Sequence, residues 1–319
     1  MNRSSLGPLM RRHLELRRSL GFILYNAEQA LTEFDRYLGQ HFPSALTVTR
    51  TMVTGYLHTL THHTPMTLRD RVIHLRQFCR FLFQLDPETY IPERDLVPPA
   101  HVTRQPHIFM EDEVKMLIRA ALALPPSEGL RPHTYATLFS LLWVSGIRIG
   151  EALKLNLEDF DAERSLLFIR EGKFLKSRLV PVAGSTTMGL MRYLARRAAL
   201  GYDRSPAAPL FINERAKRCT HSTVCKTFLV LSRESGIKTM QGRDPRLHDF
   251  RHSFATRYLD RVAREGKSPG AALPLLATYL GHVNIMHTQV YLHPSFSLLQ
   301  AAGQRFLEYA HAGGGHEGS

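Results

Sequence analysis

Four prolines fall within residues 91–107 and divide this chain more sharply than any other feature of its sequence: Pro92, Pro98, Pro99 and Pro106. Proline fixes φ and has no backbone N–H to donate, so a run of this density favours an extended linker over a helix or an inner strand. The chain has 319 residues, which is long enough for a separate core on each side of the linker. We therefore predict two domains, residues 1–105 and 106–319.

The first domain has apolar residues at helical spacing in three segments, 9–38, 47–60 and 67–85. Gly21 with Phe22 is expected to split the first segment into two helices, because glycine is a poor residue in a helix interior. Thr49 is a candidate N-cap for the second segment. These patterns predict a domain built from helices.

An arginine face runs along the segment 67–85, formed by Arg69, Arg76 and Arg80. Guanidinium groups in such a row can follow the phosphates of a nucleic acid backbone. An ordinary solvated helix face has the same pattern, so both interpretations stay open at this point. The three arginines are our candidates for DNA contact in the first domain.

The second domain is predicted to be mainly α-helical with a small β-sheet, so the fold class is α+β. Residues 134–145 are strongly apolar and predict a buried helix. Residues 166–170 and 178–182 predict two short strands joined by a turn that contains Gly172. From Thr187 onward the pattern is again mostly helical. Near the C-terminus, residues 298–310 predict an amphipathic helix, and a glycine-rich tail, expected to be disordered, follows it.

The charge balance favours a polyanionic partner. Lys and Arg number 41 against 28 Asp and Glu, which gives a formal net charge of +13. Such an excess favours nucleic acid above other partners, and a basic protein without such a partner is the alternative.

Several classes of protein lack support in the sequence. The three cysteines are scattered and form neither a disulfide framework nor a zinc pair. No apolar run is long enough to span a membrane, and the N-terminus lacks the apolar core of a signal peptide. There is no HExxH and no phosphate-binding GxxxxGK[ST] motif. We therefore expect a cytoplasmic protein with no membrane partner, no metal and no cofactor.

Four segments of the second domain combine basic side chains with a possible nucleophile. They are SGIRIGEAL at 145–153, GKFLKSRLVP at 172–181, LHDFRHSFAT at 247–256, and YLGH at 279–282 followed by Tyr291. Taken singly, each has a structural explanation, such as a surface arginine, a turn lysine or a packed tyrosine. Only their order along the chain argues for a shared site.

Taken in that order, the segments resemble the tyrosine recombinase (phage integrase) family. That family is marked by an arginine in a G-[LI]-R-x-x-E setting, a lysine in a β-turn before R-x-V-P, an H-x-x-R, an L-G-H and a tyrosine some nine residues on. All five features are present and cover residues 145–291. The family often has G-K-G-x-K-x-R at the turn, whereas here Phe174 replaces the second glycine, which puts the shape of that turn in doubt.

The resemblance implies a catalytic set of six residues: Arg148, Lys173, His248, Arg251, His282 and Tyr291. Tyr291 would be the nucleophile and would form a 3′-phosphotyrosine linkage without metal or ATP. The residue types fit phosphoryl transfer, because two arginine forks and two histidines can stabilise negative charge on the phosphorus oxygens. A phenol with a pKa of about 10 needs a base, for which His248 is the candidate, and Lys173 is the candidate acid for the leaving oxygen.

Further residues are expected to support this set. Glu151, one turn after Arg148, is expected to orient an arginine by ion pairing. Lys176 is the rival of Lys173 as general acid, and we favour Lys173 because it directly follows Gly172. Lys176 and Arg178 are also candidates for DNA contact.

The resemblance also implies a biological setting. The first domain would be a helical core-binding (SAM-like) domain and the second a catalytic domain, and together they would clamp double-stranded DNA. A homo-tetramer, or a tetramer with related recombinase subunits, would act on paired sites in integration, excision, transposition of a mobile genetic element or dimer resolution. The helix at 298–310 would either dock on a neighbouring protomer or close its own core. Two alternatives stay open: a type IB topoisomerase-like enzyme, and a DNA-binding accessory paralogue without activity.

Overall fold

The computed structural model describes residues 3–22, 24–98, 105–170, 177–281 and 286–289. The chain separates into two compact units, Met1–Arg104 and Gln105–Ser319. No helix within the described ranges is long and apolar enough to cross a membrane.

In residues 3–22 and 24–98, the first unit forms four helices: α1 Gly7–Ser19, α2 Tyr25–His41, α3 Arg50–His58 and α4 Pro65–Phe83. The predicted break near Gly21 and Phe22 is confirmed, and Gly21 adopts a left-handed φ of 84° there. Thr49 caps α3 as predicted, because its side chain accepts a hydrogen bond from the Met52 backbone N–H at 3.4 Å. The fourth helix begins slightly earlier than the apolar pattern indicates, because Thr64 accepts from the Thr67 N–H at 3.3 Å and forms its N-cap.

The core of the first unit combines buried side chains from all four helices, among them Met10, Phe34, Val53 and Phe78. His13 of α1 lies in this core with 6% of its surface exposed. Its ring centroid is 5.9 Å from that of Phe78 and 5.2 Å from that of Phe81. Burial, followed by the positive charge of Arg17, lowers the pKa of His13 to about 4.

In the second unit, the described residues form eight helices and a short sheet. The helices are α5 Glu111–Leu122, α6 Arg131–Ser145, α7 Ile149–Lys154, α8 Gly184–Ala199, α9 His221–Glu234, α10 Asp249–Arg264, α11 Pro269–Leu280 and α12 Met286–Gln289. A single 3-10 turn, Leu157–Asp159, precedes the first strand. The predicted fold class, mainly helical with a small sheet, is confirmed.

The sheet has three antiparallel strands in the order β1 Phe160–Asp161, β2 Leu166–Ile169 and β3 Arg178–Pro181. The two strands predicted from sequence correspond to β2 and β3, and β1 was not predicted because two residues carry no alternating pattern. The register pairs Ile169 with Arg178, so residues 170–177 connect the two longer strands. The predicted turn at Gly172 lies outside the described residues, as do the predicted C-terminal helix at 298–310 and the tail.

The core of the second unit is centred on α6, which is buried on nearly every side, as its apolar sequence predicts. Phe139 of α6 lies 5.7 Å from Phe228 of α9 and 6.3 Å from Phe250 of α10, measured between ring centroids. Phe109, just before α5, stacks on Phe250 at 4.6 Å. These aromatic contacts fix α10 against α6, and the two helices carry or precede the two arginines of the predicted site.

The buried His13 predicts an acid-sensitive first unit. The folded state keeps this histidine neutral, whereas the unfolded chain takes up a proton near pH 6.5. Stability is therefore lost as the pH falls from 6.5 through about 4, by on the order of 1–3 kcal/mol. In the full-length His13→Gln protein, hydrogen-exchange protection of α1 should depend less on pH across this window. Replacing the exposed His58 with Gln is the control and should keep the wild-type slope; equal slopes for wild type and His13→Gln contradict the prediction.

Candidate active site

The site begins where α6 ends. Gly146 terminates α6 with a left-handed φ of 61°, and a Cβ at this position would lie 2.6 Å from the Phe254 ring. Only glycine meets both conditions without strain. The chain then reverses, buries Ile147 and places Arg148 immediately before α7. The side chain of Arg148 is thereby brought to the C-terminal end of α11.

Glu151, in the first turn of α7, is the acidic centre of the site. Its carboxylate accepts from the Arg148 backbone N–H at 3.0 Å, which is one half of a capping box, and from Arg148 Nη1 at 2.8 Å. It also accepts two hydrogen bonds from Arg178 at the start of β3, Nη1 to Oε1 at 3.1 Å and Nη2 to Oε2 at 2.9 Å. One carboxylate, with only 5% of its side chain exposed, therefore holds two guanidinium groups.

Backbone carbonyls at the C-terminal end of α11 complete the arrangement. Leu280 O accepts from Arg148 Nη1 at 3.5 Å and from Arg251 Nη2 at 2.7 Å. Gly281 O accepts from Arg148 Nη2 at 3.3 Å. Tyr279 O accepts from Arg178 Nε at 2.9 Å. The C-terminal end of a helix carries partial negative charge, so α11 stabilises this group of cations.

Arg251, in the first turn of α10, is the most deeply buried of these arginines, with 1% of its surface exposed. Besides its bond to Leu280 O, it donates Nη1 to Gly146 O at 3.0 Å. Its charge is therefore solvated by carbonyl oxygens in place of water, which is what a buried cation requires. The same contacts link the end of α6, the start of α10 and the end of α11.

Two opposing effects act on the Glu151 carboxyl. Burial raises its pKa, but the hydrogen bonds and charge of Arg178, followed by the hydrogen bonds of Arg148, outweigh burial and hold the pKa at about 2. The carboxylate is therefore ionised at neutral pH and pairs with both arginines.

His248 immediately precedes α10, one turn before Arg251. The residue is exposed, and its ring packs edge-on against that of His252 with 4.9 Å between centroids. Desolvation by the surrounding protein, followed by the positive charges of His252, Arg251 and Arg246, lowers the pKa of His248. A neutral imidazole keeps a lone pair that can accept a proton.

The predicted arginine face of the first unit lines a groove of about 360 Å³. Arg69, Arg76 and Arg80 of α4 all border it, and Arg94, which the sequence did not single out, joins them. Arg76 also donates a hydrogen bond to Pro92 O, which ties the segment after α4 to this face.

Four predicted site residues lie outside the described part of the chain: Lys173, Lys176, His282 and Tyr291. His282 directly follows Gly281, and Lys173 and Lys176 fall between β2 and β3 in the sequence. Among the residues that the structure does describe, no group of three or more His, Cys, Asp or Glu side chains forms a potential metal site.

Comparison with known proteins decides the family. Residues 108–297 match the model of the phage integrase family, which is more than half of the chain. The chain is 35% identical over 306 residues to a putative integrase/recombinase, y4rB, of Sinorhizobium fredii, a match that covers 95% of this chain and 97% of that protein. The chain belongs to the phage integrase family. It is a tyrosine recombinase, a class of enzyme that cleaves and rejoins DNA strands.

Other relatives and solved structures agree with this assignment. The recombinase is 28% identical over 289 residues to the tyrosine recombinase XerD of Oceanobacillus iheyensis, covering 89% of this chain and 91% of that one. Its fold is similar to that of the Tn1549 transposon integrase in complex with circular intermediate DNA, with a TM-score of 0.66, 16% identity and coverage of 93% and 99%. It is also similar to a lambda integrase dimer bound to a core site, with a TM-score of 0.61, 16% identity and coverage of 88% and 96%.

Arg178, a candidate for DNA contact from the sequence, lies in this ion-pair network. Its guanidinium is bound to Glu151 and Tyr279 O, and 14% of its side chain is exposed. Arg178 is the arginine of R-x-V-P, but the sequence does not show which carboxylate it pairs with, because Glu151 lies on another element.

The buried position of Glu151 predicts a large stability loss for Glu151→Gln. Removing one partner of a buried pair leaves uncompensated charge and costs about 3–5 kcal/mol at neutral pH. Because the folded pKa is depressed, this difference should be present above pH 4.5 and should shrink as the pH falls towards 2. Urea unfolding at several pH values measures it.

Glu158→Gln is the matched control, since Glu158 pairs with Arg170 at 3.0 Å but is 39% exposed. It should cost about 1 kcal/mol or less. Equal losses for the two variants at neutral pH would show that the Glu151 pairs contribute no more than a surface ion pair.

Proposed function

We propose that the chain is a site-specific recombinase that cleaves and rejoins DNA strands through a 3′-phosphotyrosyl intermediate at Tyr291. Its substrate is double-stranded DNA with paired recombination sites, and it acts in the cytoplasm in integration, excision, transposition or dimer resolution. The reaction uses neither metal nor ATP.

The convergence of Arg148 and Arg251 is the observation that carries this proposal. Their donors lie 3.5 and 2.7 Å from the same Leu280 oxygen. Donors that meet at one oxygen are close enough together to bind the non-bridging oxygens of a single phosphodiester. Arg148 and Arg178 pair with the Glu151 carboxylate, whereas Arg251 bonds to backbone carbonyls. This described cluster of three arginines and one carboxylate therefore keeps a net positive charge for the negative charge that develops on phosphorus. Preplaced donors of this kind contribute about 10²–10³ each in rate.

The chemical steps balance with the proposed residues. The phenolic oxygen of Tyr291 attacks phosphorus and forms the phosphotyrosyl bond, while the bond from phosphorus to the 5′ oxygen breaks. The phenolic proton passes to His248, and Lys173 protonates the leaving 5′ oxygen. His282 donates a hydrogen bond to a phosphoryl oxygen. Attack by a 5′ hydroxyl on the phosphotyrosine reverses these steps and rejoins the strand, so the bond energy is conserved. The roles of Lys173, His282 and Tyr291 rest on the motif match.

The lowered pKa of His248 supports its role as base. At neutral pH the imidazole is uncharged and has a lone pair for the phenolic proton. The imidazolium that forms lies beside the negative phosphoryl group, which stabilises the proton once it has been transferred.

The first unit serves as the core-binding domain in this proposal, and residues 106–319 form the catalytic domain. The groove of Arg69, Arg76, Arg80 and Arg94 supports this role, because four guanidinium groups along one groove suit the phosphate backbone. Lys176 adds a further contact to DNA from the catalytic domain.

Four protomers are required if each tyrosine cleaves one strand, because two duplex sites contain four strands. We therefore propose a tetramer on DNA, formed by this chain alone or with related recombinase subunits. The predicted helix at 298–310 would link the protomers by docking in trans.

Covalent trapping tests the nucleophile. The full-length protein is mixed in EDTA, without ATP, with nicked duplex DNA from the region that flanks its own coding sequence, since the nick lets the cleaved end diffuse away. Wild type should give an SDS-resistant adduct, and Tyr291→Phe should give none. Tyr202→Phe is the matched control: it removes a phenol hydroxyl that bonds Glu214 O at 3.4 Å elsewhere in the second unit, and it should trap as wild type does.

An adduct that persists in Tyr291→Phe would show that the nucleophile is another residue. Tight binding of wild type to the same DNA without an adduct would point to an accessory protein. Relaxation of supercoiled DNA at no particular site would point to a topoisomerase-like enzyme.

A further inference from the structure

We propose that Arg178 is a positioning residue for strand cleavage. It binds Glu151 and the end of α11, and it thereby keeps Arg148 oriented so that the donors of Arg148 can bind the scissile phosphate. This inference rests on the proposed function.

Arg178 connects three elements, β3, α7 and α11, through its hydrogen bonds. It starts β3, pairs with both oxygens of Glu151 on α7, and donates Nε to Tyr279 O at the end of α11. Three nitrogens of one planar group are thereby engaged on two elements other than its own. A bidentate pair with a carboxylate fixes orientation as well as distance.

Gly281 shows how closely Arg178 fits against α11. Its φ is 68°, and a Cβ at this position would lie 2.8 Å from Arg178 Nη1 and 3.0 Å from Cζ. The guanidinium therefore packs directly on the backbone where α11 ends. That backbone is the one whose Leu280 and Gly281 carbonyls accept from Arg148 and Arg251.

The benefit to Arg148 follows from competition for one carboxylate. Arg148 contacts Glu151 through a single side-chain nitrogen, Nη1, whereas Arg178 forms the bidentate pair. Without Arg178, a buried Glu151 would have only one guanidinium partner, and the favoured fork-to-fork geometry would turn further donors of Arg148 towards the carboxylate. Those donors would then no longer be available to bind the phosphate.

Lysine is not an adequate substitute for this arginine. An ammonium group is a compact point charge that cannot form the planar bidentate pair while also donating in a fixed direction to Tyr279 O. Arg178→Lys therefore keeps the positive charge but loses the planar bidentate contact, and Arg178→Gln removes the charge.

A neutral substrate distinguishes positioning from plain structural support. In a methylphosphonate a methyl group replaces one non-bridging oxygen at the scissile position, so the substrate carries no charge for Arg148 to neutralise. The nicked native DNA and its methylphosphonate form are given to wild type, Arg148→Ala, Arg178→Lys and Arg178→Gln, and the rate of covalent adduct formation is measured for each.

If Arg178 acts through Arg148, both Arg178 variants should cleave the native phosphate about 10- to 100-fold more slowly than wild type. On the methylphosphonate, their rates should approach that of wild type, as should the rate of Arg148→Ala. The ratio of the two substrates' rates is insensitive to the fraction of folded protein.

Arg218→Gln is the structural control. Arg218 is a part-buried arginine of the same unit that donates to Leu153 O at 2.6 Å, in the last turn of α7, and to Leu155 O at 3.0 Å, just after that helix. Its replacement should lower folded yield or thermal stability and reduce both substrates' rates in parallel.

Three results would overturn the inference. Parallel losses on both substrates for the Arg178 variants would make Arg178 structural, like Arg218. A wild-type rate for Arg178→Gln on the native phosphate would make it dispensable. A substrate with sulfur in place of the bridging 5′ oxygen needs no acid, because its thiolate leaves unprotonated. If this substrate restores the rate of the Arg178 variants and the methylphosphonate does not, Arg178 acts on proton delivery to the leaving group. Absence of any adduct with wild type is a different failure, because it removes the proposed function itself.

Discussion

The ion pairs of one buried carboxylate hold the site together. Glu151 accepts from Arg148, just before α7, and from Arg178 of β3, with β1 and β2 between them in sequence, and it caps its own helix through the Arg148 backbone. The interior of a protein makes an unpaired carboxylate costly, so the two arginines stabilise Glu151 as much as it orients them. The relative placement of α7, β3 and the end of α11 follows from this mutual requirement.

The end of α11 supplies the second half of the arrangement. Its last carbonyls accept hydrogen bonds from Arg148, Arg178 and Arg251, so three like charges lie near one another with carbonyl dipoles to stabilise them. These carbonyls are neutral dipoles, whereas a phosphodiester carries a full negative charge. A phosphate can therefore replace them as the acceptor for the arginines at little cost in reorganisation, which is the condition for preorganised electrostatic catalysis.

Residue patterns predicted the helices well because long amphipathic or apolar segments such as α4 and α6 leave a periodic signal. They missed β1, whose two residues have no period and which exists because β2 is beside it. The order of the motifs predicted that Arg148 and Arg251 belong to one site. It did not predict that Arg178 shares Glu151 with Arg148, because the partner of a charge depends on which elements the fold brings together. The groove shared by Arg94 and α4 was missed for the same reason.

In our proposal, Arg148 and Arg251 form one phosphate site that Glu151 and Arg178 hold in place. A crystal structure of the Tyr291→Phe protein on intact site DNA would show this site with its substrate. Both arginines should donate to non-bridging oxygens of the same scissile phosphate, while Arg178 keeps its two bonds to Glu151. A complex in which Arg148 and Arg251 contact different phosphates, or in which Arg178 leaves Glu151 to bind DNA, would contradict it.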